Sequence, residues 1–107
     1  MPSASDLLFK TLGDPTRRAI FEHLASSGER NVRALTEFAG VSQPAVSKHL
    51  AALKLAGLVR DRPKGRETHY SADLKGLTPL IDWMEHYGAF WRDRFDRLET
   101  SLNRMDQ

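Results

Sequence analysis

The 107-residue sequence predicts a mainly α-helical fold with one small β-hairpin and a long C-terminal helix. Three observations predict it. Apolar residues recur at intervals of three and four over most of the chain, a stretch after Gly57 switches to alternation, and the last third holds a sustained heptad.

The first helical signal is a short amphipathic turn or two around Leu7, Leu8, Phe9 and Leu12, ended by Gly13. Asp14-Pro15 then starts a second helix. Asp caps free N–H groups, and proline in the first position sacrifices no hydrogen bond. Ile20, Phe21 and Leu24 line one face until Ser26-Ser27-Gly28 ends it. A third helix runs from Asn31 to Ala39 with Val32, Leu35, Phe38 and Ala39 at helical spacing, and Gly40 supplies the C-terminal glycine. Ser42 is the N-cap of a fourth helix, with Pro44 in its first turn. This helix is expected to carry Val46, Leu50, Leu53 and Leu55 inward and Gln43, Ser47, Lys48 and Lys54 outward. Two short helices joined by a glycine turn, the second with a polar and basic face, form a helix-turn-helix over about residues 31–57.

Leu58-Val59-Arg60-Asp61-Arg62 and Glu67-Thr68-His69-Tyr70-Ser71 flank Pro63-Lys64-Gly65-Arg66, which reads as a hairpin over about residues 58–72. Proline at the start of the turn and glycine near its apex give the turn its mechanism. Helix-turn-helix plus basic hairpin is a winged helix, and the whole chain, residues 1–107, reads as one such domain.

Thr78-Pro79 starts the last helix, about residues 78–104 and roughly 39 Å long at 1.5 Å per residue. A start near Asp73 with an irregular turn at Pro79 is the alternative. Leu77, Ile81, Met84, Gly88, Trp91, Phe95, Leu98, Leu102 and Met105 form a heptad seam. Leu80, Trp83, Tyr87 and Phe90 run beside it. A domain of this size cannot bury both stripes alone, so a homodimer is expected, with one stripe on the chain's own core and the other on its partner. Gly88 suits close helix approach.

Composition excludes several classes. With no cysteine there is no disulfide scaffold, thiolate metal site or cysteine nucleophile, which suits a reducing compartment. No apolar run approaches the roughly 20 residues of a membrane span, and Met1-Pro2-Ser3-Ala4-Ser5-Asp6 lacks the basic start and apolar stretch of a secretory signal. A cytoplasmic protein with no membrane partner is expected. The charge is unevenly spread. From Arg30 to Arg66, eight basic residues stand against Glu37 and Asp61, a net of +6, while the segments on either side are acidic. A basic middle between acidic flanks suits contact with a polyanion.

Double-stranded DNA is the polyanion these elements fit. The exposed N-terminal half of a recognition helix enters the major groove. There Gln43 suits bidentate contact with adenine, Ser42 and Ser47 reach bases or phosphates, and Lys48 reaches guanine or backbone. His49 either touches phosphate or packs on the neighbouring helix; the spacing leaves both open. Lys64 and Arg66 at the hairpin tip are expected over the adjacent minor groove or its phosphates, and Arg33 near the start of the third helix is a candidate phosphate contact.

Asp14-Pro15-Thr16-Arg17-Arg18, Val41-Ser42-Gln43-Pro44-Ala45-Val46-Ser47-Lys48-His49-Leu50 and Leu53-Lys54-Leu55-Ala56-Gly57-Leu58-Val59 resemble the ArsR family of bacterial winged-helix repressors. The likeness runs from about Leu7 through the final helix. It implies a homodimer, built largely through the first and last helices, that represses transcription from a palindromic operator until a signal releases it.

The family's best-known signals are metal or metalloid ions, and here the chain departs from the pattern. The positions implied for thiolate ligands hold Asn31, Arg33 and Thr36. Those implied for zinc ligands of the last helix hold Leu74, Gly76, Tyr87 and Phe90, of which only a phenol offers an oxygen. No metal ligand and no cofactor are therefore assigned, and the inducer is unknown. Asp82 and His86, four apart with Glu85 beside them, are the one non-standard metal alternative. Trp83, Tyr87, Phe90, Trp91 and Phe95 are either dimer core or the lining of a small-molecule pocket. His23 and His69 have no sequence-local carboxylate or histidine at ligand spacing and read as structural.

Two other function classes remain for comparison. The chain has no Gly-x-Ser-x-Gly, P-loop or dinucleotide fingerprint, so no enzyme is expected. A winged helix used purely as a protein-interaction module has no need of a polar recognition helix or a basic wing, and this chain keeps both.

Overall fold

The computed structural model describes residues 3–105. Helix α1 spans Ala4–Gly13 and begins earlier than the apolar pattern suggests. A capping box sets its start: the Ser3 hydroxyl accepts from the Asp6 amide at 3.1 Å, and the Ser3 amide donates to Asp6 Oδ2 at 3.2 Å. Helix α2, Pro15–Ser27, starts as the Asp-Pro signal requires. Asp14 Oδ1 accepts from the Thr16 and Arg17 amides at 2.9 and 3.0 Å.

A two-residue strand β1, Arg30–Asn31, precedes helix α3, Val32–Ala39, and was not legible in the sequence. Asn31 is the N-cap of α3 rather than its first residue, its Oδ1 accepting from the Ala34 amide at 2.9 Å. Gly40 then adopts the left-handed conformation, φ 67°, that lets the chain turn at once into helix α4, Gln43–Leu55.

Strands β2, Val59–Lys64, and β3, Glu67–Ala72, form the hairpin, and β3 pairs with β1 on its other side. Both pairings are antiparallel. Lys64 lies opposite Glu67, so the turn is only Gly65-Arg66, with Gly65 at φ 63°. Pro63 does not start this turn, as its position suggested. It lies within β2, opposite Thr68, where an edge strand tolerates a residue without an N–H. A 3₁₀ turn, Leu74–Leu77, capped by Asp73, leads into helix α5, Thr78–Met105.

Leu8, Ile20, Phe21, Leu24, Leu35, Val46, Leu50, Leu53, Leu58 and Val59 form a single core drawn from α1 through β2. Leu55 is not part of it. Val46, Leu50 and Leu53 follow the i, i+4, i+7 stripe, whereas Leu55 falls on the opposite side of α4 and is 75% exposed. The 3₁₀ turn packs tightly beneath this core. A Cβ on Gly76 would lie 2.1 Å from the Gly57 carbonyl oxygen, so only glycine fits there.

Helix α5 is different, for none of its residues is buried. Leu80 packs against the core, and Trp83 meets Phe9 of α1 edge-on with ring centroids 5.4 Å apart. Leu77 departs from the expected seam: it sits in the 3₁₀ turn and packs against the chain's own core. Beyond these contacts the helix projects from the body. The radius of gyration is 18.9 Å and the longest extent 68 Å, against about 13 Å expected for a compact chain of this length.

Candidate nucleic-acid interface

The N-terminal half of α4 is held outward by its own cap. The Ser42 hydroxyl accepts from the Ala45 amide at 3.3 Å, which uses one of its two lone pairs on the helix and leaves its proton to donate. Gln43, Ser47 and Lys48 are exposed on one face, while Val46 and Leu50 anchor the other. His49 lies on the flank. Its Nδ1 accepts from Arg17 Nε at 3.1 Å, tying α4 to α2 and leaving Nε2 to carry the ring proton. Of the two arrangements the sequence left open for His49, packing on a neighbouring helix is therefore present.

The basic segment divides into two populations. Lys54 Nζ pairs with Asp61 at 2.8 Å, Arg60 Nε with Asp73 at 2.8 Å, and Arg62 grips Glu29 through two bonds of 2.9 Å. These pairs fasten the wing to the body at three places. The Arg62, Lys54 and Arg60 side chains hold the carboxyls of Glu29, Asp61 and Asp73, respectively, below the usual carboxylate range. Asp14 is held low too, chiefly by the Arg17 amide. Arg33 has only a loose 3.8 Å contact with Glu37, both side chains well exposed. Among the described residues no ion pair involves Lys48, Lys64 or Arg66. Positive charge of this segment left for an external anion thus lies on α4, at the start of α3, at the wing tip and at Arg30 of β1, whose Nη1 donates to the Glu29 carbonyl at 2.7 Å.

A concave surface of about 280 Å³ joins these parts. It is lined by Asn31 and Arg33 at the start of α3, Gln43 at the start of α4, and Arg66, Glu67, Thr68 and Tyr70 of the wing. Of the sequence-predicted contacts, Arg33, Gln43 and Arg66 come together here. Ser42, Ser47, Lys48, His49 and Lys64 do not line it: Ser42 caps α4, Ser47, Lys48 and His49 lie further along that helix, and Lys64 ends β2. The lining also holds Asn31, Val32, Glu67, Thr68 and Tyr70, none of which the sequence marked as a contact. Only the pairing of β1 with β3 brings Asn31 to the wing, and no local pattern signals a two-residue strand. His69 also differs from expectation, because a carboxylate is at hand: Glu67, two residues away on the same strand face, has Oε2 3.3 Å from His69 Nε2.

The seam side chains Ile81, Met84, Trp91, Phe95 and Leu98 are all between 48% and 63% exposed. Among the described residues nothing crowds Gly88, where the nearest atom to an added Cβ is 3.7 Å away on the flexible Arg92 side chain. Tyr87 and Phe90 continue the second stripe and are exposed as well. Asp82 and His86 border a shallow concavity between α5 and the start of α1, together with Trp83 and Tyr87. No group of three or more side chains able to hold a metal ion gathers among the described residues. The Gly76 position is closed to any ligand side chain by the Gly57 carbonyl. No described helix is long and apolar enough to cross a membrane.

Comparison with known proteins agrees with this architecture. Residues 12–62 match a family model described as a helix-turn-helix domain. The chain is 35% identical over 80 residues to the transcriptional repressor SdpR of Bacillus subtilis, covering 75% of this chain and 88% of that protein. It is 48% identical over 75 residues to the HTH-type transcriptional regulator Rv2034 of Mycobacterium tuberculosis, covering 70% of this chain and 69% of the relative. Among solved structures, an ArsR-like transcriptional regulator from Rhodococcus sp. RHA1 superimposes with a TM-score of 0.72 at 31% identity, covering 91% of each chain. With its helix-turn-helix, three-stranded wing sheet and long final helix, the chain belongs to the ArsR family of winged-helix transcriptional regulators, DNA-binding proteins rather than enzymes.

Proposed function

We propose that the protein is a homodimeric transcriptional repressor that binds an inverted-repeat operator and does not respond to metal ions. The observation that carries this reading is the surface shared by α3, α4 and the wing. Arg33, Gln43 and Arg66 line one concavity, with Ser47 and Lys48 exposed one turn further along α4. In this reading α4 lies in the major groove, where Gln43 reads an adenine. Ser42, Ser47, Lys48 and His49 Nε2 reach nearby bases or phosphates, and Arg33, Lys64 and Arg66 hold the backbone.

The exposed seam supports the dimer. Ile81, Met84, Trp91, Phe95 and Leu98 present a long apolar stripe to water, and a second copy of α5 covers it by the same knobs-into-holes geometry. Gly88 leaves room for close approach. A two-fold dimer sets its recognition helices about 34 Å apart, one turn of the duplex. Repression is favoured by the likeness to a protein named as a repressor.

Selection of bound duplexes from a random pool, with divalent metal and with chelator, tests the whole reading. An inverted repeat recovered equally in both conditions is expected. A metal-dependent motif overturns the claim of metal independence, a single half-site overturns the symmetric dimer, and no enrichment in either condition overturns sequence-specific recognition.

A further inference from the structure

The surface assigned above to DNA contains one acidic side chain with no obvious place there. Glu67 lines the concavity with Arg33, Gln43 and Arg66, yet no Lys or Arg pairs with it among the described residues. Phosphates and sugars repel a carboxylate or offer it no hydrogen, so it weakens backbone contact.

Its two oxygens are not equivalent. Oε2 accepts from Asn31 Nδ2 at 3.3 Å and lies 3.3 Å from His69 Nε2. Both partners are themselves fixed. Asn31 spends its other amide atom on capping α3, and the His69 side chain is only 20% exposed. Asn31 and His69 are also directly paired across β1 and β3, and Glu67 lies two residues along β3 on the same face. Oε1 has no partner among the described residues. One oxygen is therefore held from inside the protein, and the other is left without a partner among the described residues on a side chain that lines the concavity.

We propose that Glu67 is a specificity-determining residue whose Oε1 accepts a hydrogen bond from the exocyclic N4 amino group of a cytosine next to the base pair contacted by Gln43. The assignment rests on the DNA-binding reading above. It follows from what the major groove displays. Guanine and thymine present acceptors that repel a carboxylate. Adenine sets its N7 acceptor beside its N6 donor. Cytosine alone offers a donor with no acceptor from the same base beside it. Asn31 and His69 act as positioning residues.

The test is duplex selection with the wild-type protein, Glu67→Gln, Gln43→Ala and Asn31→Ser. Serine retains an N-cap for α3 while removing the donor to Glu67. The wild-type motif is expected to hold a C·G pair adjacent to the position that Gln43→Ala relaxes. In Glu67→Gln the cytosine preference falls about tenfold at that position alone, while binding to scrambled duplex tightens. In Asn31→Ser the same preference weakens with the thermal midpoint little changed. A Glu67→Gln motif identical to wild type, with uniformly tighter binding, overturns base reading and leaves charge repulsion only. A wild-type motif without that cytosine overturns the proposal too. Failure of the wild-type protein to enrich any motif sinks the DNA-binding reading itself, a result distinct from either.

Discussion

The body of the molecule and the outer part of α5 are both rich in large apolar side chains, but their fates differ. In the body, Leu8, Ile20, Leu24, Leu35, Leu50, Leu53 and Leu58 are almost wholly removed from water. Along α5, Trp91, Phe95, Leu98 and Leu102 are each more than half exposed. The local pattern does not account for this, since both regions repeat apolar residues at helical spacing. The difference is one of company. Residues of the body converge from five elements on a common centre, whereas α5 leaves that centre after Trp83, borders the start of α1 as far as Tyr87, and runs on with its large apolar side chains exposed. Helical periodicity thus says that a face is apolar and leaves open what covers it.

Substitutions in the two regions are therefore expected to separate. Leu53→Ala removes a fully buried side chain at the centre of the body and is expected to cost about 2–5 kcal/mol in unfolding free energy. Denaturant titration would register it at any protein concentration. A loss below about 1 kcal/mol would contradict the assignment of Leu53 to the core centre.

Trp91→Ala is expected to do the converse. It truncates a large aromatic in the exposed seam and should weaken dimerisation by about 2 kcal/mol or more, close to thirtyfold in dissociation constant. Circular dichroism of the body should change little. Sedimentation showing an intact dimer at low micromolar concentration would remove Trp91 from the interface and with it the proposed use of the seam.

Changes on the exposed surface of α4 and the wing should leave both stability and dimerisation alone. Gln43→Ala is expected to cost about 1–3 kcal/mol on the cognate duplex and to relax preference at one position. Equal weakening on scrambled DNA would show that it reads no base. Lys64→Ala and Arg66→Ala should weaken binding to all sequences and lower the salt slope by about 0.9 each. An unchanged slope would detach the wing tip from the phosphates.

The smallest effect concerns acid stability. Arg62 holds the Glu29 carboxyl below its usual range, so the folded state favours the ionised form more than the unfolded state does. That contribution is present above the ordinary glutamate value and is lost as pH falls through the lower folded value. Across that window the urea midpoint of Glu29→Gln should fall less steeply than that of the wild type. Parallel curves would show that the Arg62–Glu29 grip contributes nothing to stability.

The sequence by itself determined the helices and their order, and it singled out much of the proposed contact face. Caps such as Asp14, Ser42 and Gly40 and the stripe Val46, Leu50, Leu53 act over a few residues, so their consequences are local and can be read in order. The family motif through Ser42-Gln43-Pro44 pointed correctly to a winged-helix regulator for the same reason: its signal is contiguous. Leu55 shows the limit even there, since apolar character alone put inward a residue that the helical angle turns outward.

Only the tertiary structure decided which charges are spent and which surfaces are joined. The Arg62–Glu29 grip spans 33 residues and the Asn31–Glu67 contact 36, and each depends on β1 adding itself to the hairpin. Gly76 must be glycine because the distant Gly57 carbonyl lies against it. Such facts belong to pairs brought together when the chain closes on itself, and no window along the sequence contains both partners.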